Sequence, residues 1–433
     1  MPTNSSSLYT VANDLGYGSM KLSITSGEQH YYQVPSVIAI QRPQNFAKPI
    51  KFDHQLEQDQ YFMNFMNHMD VTIKSPSVVT PGRFLIGRRA ANADIPLRSF
   101  DLNSMIGKAH DDLSVILTLS TIAAQGVSDA YQRQVDLNRP LDLDIIMATA
   151  VPITEGKKKN LTETYAQKYL SGVHTVVFHN FATPITVNLH FKRVFVALEG
   201  EAAQMAIGNA NPQLKTSIKA QYDKQYPNEQ NLYTADDLIS AYNVAGIDIG
   251  AVTVDFPIIS NGTAKGNASD SLPNGYDSTV LQSAIDVLQS QGQMFESITD
   301  LKRFLDQPVN GFSKRRQDQV RKVVQAQYEP FEEQIVQELS KTVRHAGPNL
   351  DVVYVYGGGS IPLGQTSQLR NKLINKIKEF TGGMDIPVIW IDPQYAQELN
   401  NIGLNLISHQ LLHDYLVMLS TLNAQQNPQG GAN

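Results

Sequence analysis

The sequence predicts an α/β protein made of two related halves, and three observations carry that reading. Strand-like apolar runs alternate with helix-spaced segments along the whole chain, which argues for layered sheet and helix rather than an all-α or all-β fold. A short Asp-x-Gly turn occurs twice, at residues 14–21 and 248–255, each time between two apolar strands. The 433 residues, 42% hydrophobic and 18% charged, suffice for two or three domains with sizeable cores.

In the first half, Leu8–Asn13 is a short apolar run ending at Asp14, and an alternating pattern resumes over Lys21–Thr25 after the glycines at 16 and 18. The segment reads as strand, Gly-rich turn, strand. Val34–Ile40 is a further strand, and residues 41–80, rich in Gln, Asn, Pro and His without a clear period, read as a surface insertion. Ala109–Tyr131 has helical spacing, Leu143–Ala150 is a buried strand closed by Pro152, and Lys157–Leu170 is a helix. Val173–Phe178 and Ile185–Val196 are strands, after which a helix opens at Glu199. Residues 211–243 are polar and contain Pro212 and Pro227, so they read as an insertion or linker.

The second half repeats the opening. Val244–Ile249 and Val252–Ile259 are apolar strands around a Gly turn, followed by a Gly/Asn/Ser/Pro-rich loop over 261–275. Helices fill 276–345 with breaks expected near Pro308 and Pro330. Val352–Tyr356 is a strand that runs into three glycines and then a helix over 366–380; Val388–Ile391 is the last strand and Gln394–Leu419 the last helix. The Gln/Asn/Gly-rich tail, Asn423–Asn433, reads as disordered. The expected division is residues 1–200 with 405–433, the insertion 211–243, and residues 244–404.

Composition removes several function classes. There is no cysteine, which excludes disulfides, thiolate-bound metals and a thiol nucleophile. A net charge of −6 makes direct charge-driven binding to nucleic acid or to an anionic membrane a poor expectation. Met1–Thr10 lacks the basic region and apolar run of a secretory signal, and Leu113–Ala124 is too short to span a bilayer. The expectation is therefore a cytoplasmic protein.

The repeated turn carries the chemistry. Aligning Asp14-Leu-Gly-Tyr-Gly-Ser-Met-Lys21 with Asp248-Ile-Gly-Ala-Val-Thr-Val-Asp255 matches an Asp, a branched aliphatic, a Gly and a hydroxyl residue. Glycine lets the hairpin backbone approach an anion closely, and successive N–H groups make a concave donor surface for phosphate. Gly16, Tyr17, Gly18 and Ser19 in one copy, and Gly250, Ala251 and Thr253 in the other, are the expected contacts, with Lys21 adding a point charge. Asp14 and Asp248 would repel phosphate directly but can hold a hydrated Mg²⁺ that bridges to it. A third element, the Gly357-Gly358-Gly359 triplet and Ser360 after the Val352–Tyr356 strand, would let a flat ring or a ribose lie against the backbone, against the simpler reading of a tight strand–helix connection. No P-loop pattern occurs, and Gly357-x-Gly359 lacks the third glycine of a dinucleotide fingerprint.

These three motifs, in this order, resemble the phosphate-1, phosphate-2 and adenosine motifs of the actin superfamily, and within it the bacterial plasmid-segregation ATPases of the ParM/StbA family. Gly82–Ala90, Lys108–Asp112, Ala148–Pro152 and Asp392–Ala396 resemble further segments of that branch. The resemblance implies two RNase H-like domains with mixed five-stranded sheets around a nucleotide cleft, binding ATP (or GTP) with Mg²⁺. It implies slow hydrolysis in which Glu199, just after the strand linking the domains, orients the attacking water, with Asp14 and Asp248 holding the metal through water. It also implies self-association into helical filaments and a DNA-binding, ParR-like adaptor on a centromere-like plasmid site in a bacterial cytoplasm. One departure is Ala251-Val252, where the family usually carries Gly and Thr or a similar small residue.

Other readings remain open at this stage. A small-molecule (sugar or acid) kinase of the same superfamily would need a general base, for which Asp255 and Glu201 are candidates. A cell-shape filament and a non-enzymatic scaffold are further alternatives. Lys302, Arg303 and the basic run 314–322 are candidates for nucleoside contacts, against the simpler reading of a solvated face. His409 and His413 lie four apart but lack the Glu of a zinc-protease helix, so no metal is assigned to them.

Overall fold

The computed structural model describes residues 7–101, 107–158, 160–347 and 349–426. The chain divides into two compact units, residues 1–151, 158–197 and 404–433 in the first and residues 152–157 and 198–403 in the second. The strands of the first are β1 (Ser7–Leu15), β2 (Ser19–Thr25), β3 (Gln29–Pro35), β4 (Val37–Gln41), β5 (Asp70–Lys74), β6 (Arg83–Ile86), β7 (Leu97–Ser99), β8 (Leu141–Val151), β9 (His174–Phe178) and β10 (Ile185–Leu198). They form one ten-stranded sheet in the order β3-β2-β1-β8-β10-β9-β5-β6-β4-β7. The second unit holds β11 (Val244–Ile249), β12 (Val254–Phe256), β13 (Ile258–Ser260), β14 (Thr263–Ala264), β15 (Asp270–Leu272), β16 (Val352–Tyr356) and β17 (Val388–Trp390).

The same five-stranded mixed core stands in both units. In the first it is β3-β2-β1-β8-β10, with β3–β2 and β2–β1 antiparallel and β1–β8 parallel. In the second it is β15-β12-β11-β16-β17, with β15–β12 and β12–β11 antiparallel and β11–β16 parallel. β13 continues β12 in unbroken register against β11. Pro257 interrupts the two because it has no N–H for the ladder, while its carbonyl still accepts from Gly246 N–H at 2.8 Å. The five-stranded expectation thus describes the cores, which the first unit extends by β9-β5-β6-β4-β7 and the second by β13–β14.

Side-chain alternation explains why the second unit's strands are apolar throughout. Ala245, Ile247, Ile249, Val353, Val355, Val388 and Trp390 face one buried cluster, and Val244, Val352, Tyr354, Tyr356, Ile389 and Ile391 face another. Successive residues point to opposite faces and both faces are covered by helices, so no polar alternation survives. In the first unit the Asp112–Gln132 helix is the central support. It is long and apolar enough to cross a membrane by length and composition, yet it is buried along its length from Asp112 to Ala130. Asp111 caps it, accepting from Leu113 N–H at 2.9 Å.

Two segments read as insertions belong to the cores. Residues 211–243 form the helices Pro212–Gln225 and Ala235–Ile239, whose Leu214, Ile218, Tyr222 and Leu238 join a buried cluster of the second unit. In the first of these helices the buried Leu214, Ile218 and Tyr222 recur about once per turn, which is enough for a seam but too sparse to show among the polar residues. Residues 41–80 include β5, which sits between β9 and β6, and the Gln55–Met63 helix, whose Phe62 stacks on Tyr131 at 4.0 Å.

Smaller differences follow the same logic. Pro330 lies in the first turn of the Tyr328–Ala346 helix rather than at a break, because its missing N–H needs no partner there. The last helix, Leu399–Gln426, runs further than expected, and the tail 427–433 lies outside the described residues.

Asp70 on β5 and Arg83 on β6 form a bidentate pair, 2.6 Å and 2.7 Å, and Gln41 also donates to Asp70 at 2.7 Å. Asp70 is buried, so Arg83→Met leaves a carboxylate inside without its cation. The expected cost is about 3–5 kcal/mol, read as an earlier urea midpoint of the first unit. A change below about 1 kcal/mol would mean water already screens the pair.

Candidate functional site

The two Asp-x-Gly turns share the same hairpin register. In the first unit Asp14 pairs with Lys21 and Leu15 with Met20 across the hairpin, and Gly16 N–H donates to the Ser19 carbonyl at 3.1 Å. In the second, Asp248 pairs with Asp255 and Ile249 with Val254, and Gly250 N–H donates to the Thr253 carbonyl at 2.9 Å. Both glycines are there for space: a Cβ on Gly16 would meet Ser19 O at 2.7 Å, and one on Gly250 would meet Thr253 O at 2.9 Å. The repeat seen in sequence is therefore a repeat of backbone geometry.

The side chains around the two turns differ. Asp14 is 9% exposed, with the Lys21 ammonium at 3.9 Å. Ser19 Oγ accepts from Gln33 Nε2 at 3.1 Å. Lys108 donates to the Leu15 carbonyl at 2.6 Å and lies over the Tyr17 ring, and Tyr17 sets its edge against Phe100. In the second unit Asp248 is 8% exposed and accepts from Asn400 Nδ2 at 2.7 Å. Thr253 Oγ1 donates to Asp255 at 3.0 Å, so this hydroxyl, expected to face phosphate, is engaged with a carboxylate.

The Gly triplet packs directly on the second turn. Gly359 N–H donates to the Ile249 carbonyl at 2.8 Å, and Ser360 Oγ donates to the Gly357 carbonyl at 2.7 Å. A cavity of about 580 Å³ opens beside them, lined by Ala251, Gly358 and Gly359 and by Tyr276, Asp277, Lys302, Arg321 and Tyr328 from the surrounding helices. Its volume lies within the usual range for small-molecule sites. Lys302 reaches Asp277 at 2.5 Å, and burial pushes the Asp277 carboxyl above the usual range even though that ammonium opposes the shift. Of the basic candidates, Lys302 and Arg321 line this cavity; Lys314, Arg315 and Arg316 lie exposed on the Gly311–Gln325 helix.

Glu199 lies in the turn before the Glu201–Gly208 helix rather than on it. Its neighbour Gly200 is fastened on two sides: its N–H donates to Asn400 Oδ1 at 3.0 Å, and its carbonyl accepts from Tyr356 OH at 3.2 Å. Asn400 therefore ties the Glu199–Gly200 turn to Asp248 through one side chain. No local pattern announces it, since an Asn in the first turn of a helix is ordinary. Asp255 is buried, accepting from Thr253 and Ser271 hydroxyls and from Ile153 N–H, which leaves it poorly placed to act as a kinase base. Burial raises the Glu201 carboxyl above its ordinary range. His409 and His413 are both exposed, and no cluster of three metal-ligating side chains occurs among the described residues.

Comparison with known proteins bears on the fold. Residues 246–368 match the model of the family described as archaeal actin homologue MreB-like, C-terminal. A sequence search of curated proteins finds no match. Among solved structures, the actin-like protein Alp7A is similar over 96% of this chain and 100% of its own, with a TM-score of 0.65 at 13% identity. Bacillus thuringiensis ParM, solved with ADP, is similar over 93% and 99%, with a TM-score of 0.53 at 13% identity. The archaeal actin homolog Ta0583 gives 93% and 99%, with a TM-score of 0.55 at 14% identity.

The chain has the actin-like fold.

On this actin-like fold, the matched segment 246–368 includes the second Asp-x-Gly turn, Lys302, Arg321 and the Gly triplet. The donor set also bears on Mg²⁺. Asp14 and Asp248 each stand at a strand end and are mostly buried. Taken singly, each carboxylate suits an acceptor for metal-bound water and not a full inner shell.

Proposed function

We propose that this protein is an actin-like ATPase that binds ATP (or GTP) with Mg²⁺, polymerises into helical filaments and uses them to segregate plasmid DNA. The observation that carries the proposal is the register-matched pair of Gly turns, together with the 580 Å³ cavity on which the second turn and the Gly triplet border. The turns offer phosphate-facing amides, and the cavity offers a lined space for a nucleoside. Asp14 and Asp248 are the proposed metal-water acceptors, and Glu199 the proposed orienter of the attacking water. Little covalent work is then asked of the chain, since hydrolysis needs chiefly positioning.

Plasmid segregation rests on the resemblance to the ParM/StbA branch and on the likeness to Alp7A and ParM. The proposed partner is a DNA-binding, ParR-like adaptor in the bacterial cytoplasm, and the net charge of −6 suits a filament that leaves DNA contact to another protein. A filament follows when a head-to-tail contact does not close into a ring.

Right-angle light scattering, pelleting and negative-stain microscopy test this with Mg²⁺ and ATP, GTP, ADP or no nucleotide. The expected result is nucleotide-dependent filaments from the wild type and none from Asp248→Ala, whose affinity for ATP falls about 100-fold. A soluble monomer that binds ATP would remove the filament reading and turn attention to a kinase substrate.

A further inference from the structure

We infer that Ser36 and Lys108 are positioning residues that set the phosphate-facing orientation of the Gly16–Ser19 turn; this rests on the nucleotide reading above. Ser36 holds two carbonyls of the turn at once. Its Oγ donates to the Gly16 carbonyl at 2.7 Å, and its backbone N–H donates to the Gly18 carbonyl at 3.1 Å. In a trans peptide the C=O of one residue and the N–H of the next point in opposite directions. Pulling the Gly16 and Gly18 carbonyls toward Ser36 therefore turns the Tyr17 and Ser19 N–H groups away from it, to the side where an anion would sit.

Lys108 acts one peptide earlier. The residue is 3% exposed, and its ammonium donates to the Leu15 carbonyl at 2.6 Å. The other end of that peptide is Gly16 N–H, which closes the turn on the Ser19 carbonyl. The buried ammonium polarises this peptide, strengthens the closing bond and adds positive charge behind the turn.

The second unit supplies the independent comparison. There the carbonyls at the same two positions are also held, Gly250 by Tyr276 N–H at 2.9 Å and Val252 by Gly275 N–H at 2.6 Å. The same orientation is thus built twice by different means, from backbone amides alone in the second copy and from one backbone amide and the Ser36 hydroxyl in the first. In the first copy a single side-chain change can release one of the two carbonyls, that of Gly16.

The test is competition of MgATP, MgADP and adenosine against a fluorescent nucleotide on the full chain, comparing wild type, Ser36→Ala and Lys108→Met. The expected result is that MgATP and MgADP weaken about 10-fold for Ser36→Ala and about 30-fold for Lys108→Met, while adenosine holds within twofold. A merely structural role would lower all three ligands together, with the melting temperature, and would overturn the inference. So would MgATP affinities unchanged in both variants. A wild-type protein that binds ATP no better than adenosine would instead overturn the phosphate reading itself, and this inference with it.

Discussion

Gly357→Ala is expected to reduce MgATP affinity by about 100-fold or more while the first unit's stability is untouched. Two costs coincide at this position. Gly357 has φ +87°, a conformation L side chains rarely adopt, and an added Cβ would lie 2.4 Å from Asp248 Oδ1 and 2.6 Å from the Ile249 carbonyl. The methyl group must displace the carboxylate at the second Asp-x-Gly turn or the end of β11, and either movement disturbs the peptide that Gly359 N–H also grips. Gly292→Ala separates the two costs. Gly292 has φ +77° with nothing within 4 Å of the added Cβ, so this variant carries the backbone strain alone. Calorimetric titration with MgATP should show a near-normal affinity for Gly292→Ala and a collapsed one for Gly357→Ala. Equal affinities in the two variants would mean that the packing of the triplet on Asp248 is irrelevant to the ligand.

Gly403→Ala is expected to destabilise the second unit by about 3 kcal/mol, against the usual trend of this substitution in a helix interior. Alanine normally favours a helix over glycine by about 1 kcal/mol. Here the Leu399–Gln426 helix meets the Glu201–Gly208 helix backbone to backbone, and a Cβ on Gly403 would lie 1.8 Å from the Ala202 carbonyl oxygen and 2.5 Å from its carbon. The contact involves main chain on the far side, so no rotamer change relieves it and the helices must part. Scanning calorimetry should show the second unit's transition lowered by roughly 6–12 °C. Because Asn400 lies one turn away and holds both Asp248 and Gly200, nucleotide affinity should fall as well. An unchanged transition would show that the two helices can separate at little cost.

How much was legible beforehand depended on the kind of signal. The strand–turn–strand motifs were readable because their determinants are local: apolar alternation, an Asp at the strand end and a Gly two residues on. The Gly triplet after β16 was readable for the same reason. By contrast, the helices within 211–243 were hidden, since Leu214, Ile218 and Tyr222 supply a single apolar seam in a polar background. β5 was hidden because its five residues include Asp70 and Lys74, and it takes the pairing with Arg83, together with Gln41, to make a buried acid tolerable. Thr253, expected to face phosphate, donates its hydroxyl to Asp255 two residues on, a pairing of near neighbours that the spacing alone does not announce.

The sequence by itself determined the α/β class, the twofold repeat and the residues at the tips of both turns, since each of these is written in spacing along the chain. The tertiary structure alone decided which groups hold those tips. Ser36 lies 20 residues from the Gly16 carbonyl it holds, Lys108 lies 93 from Leu15, and Asn400 lies 152 from Asp248. A hydrogen bond is a requirement on distance and angle between two groups, and when the chain must fold to bring them together, neither residue carries a local mark of the other.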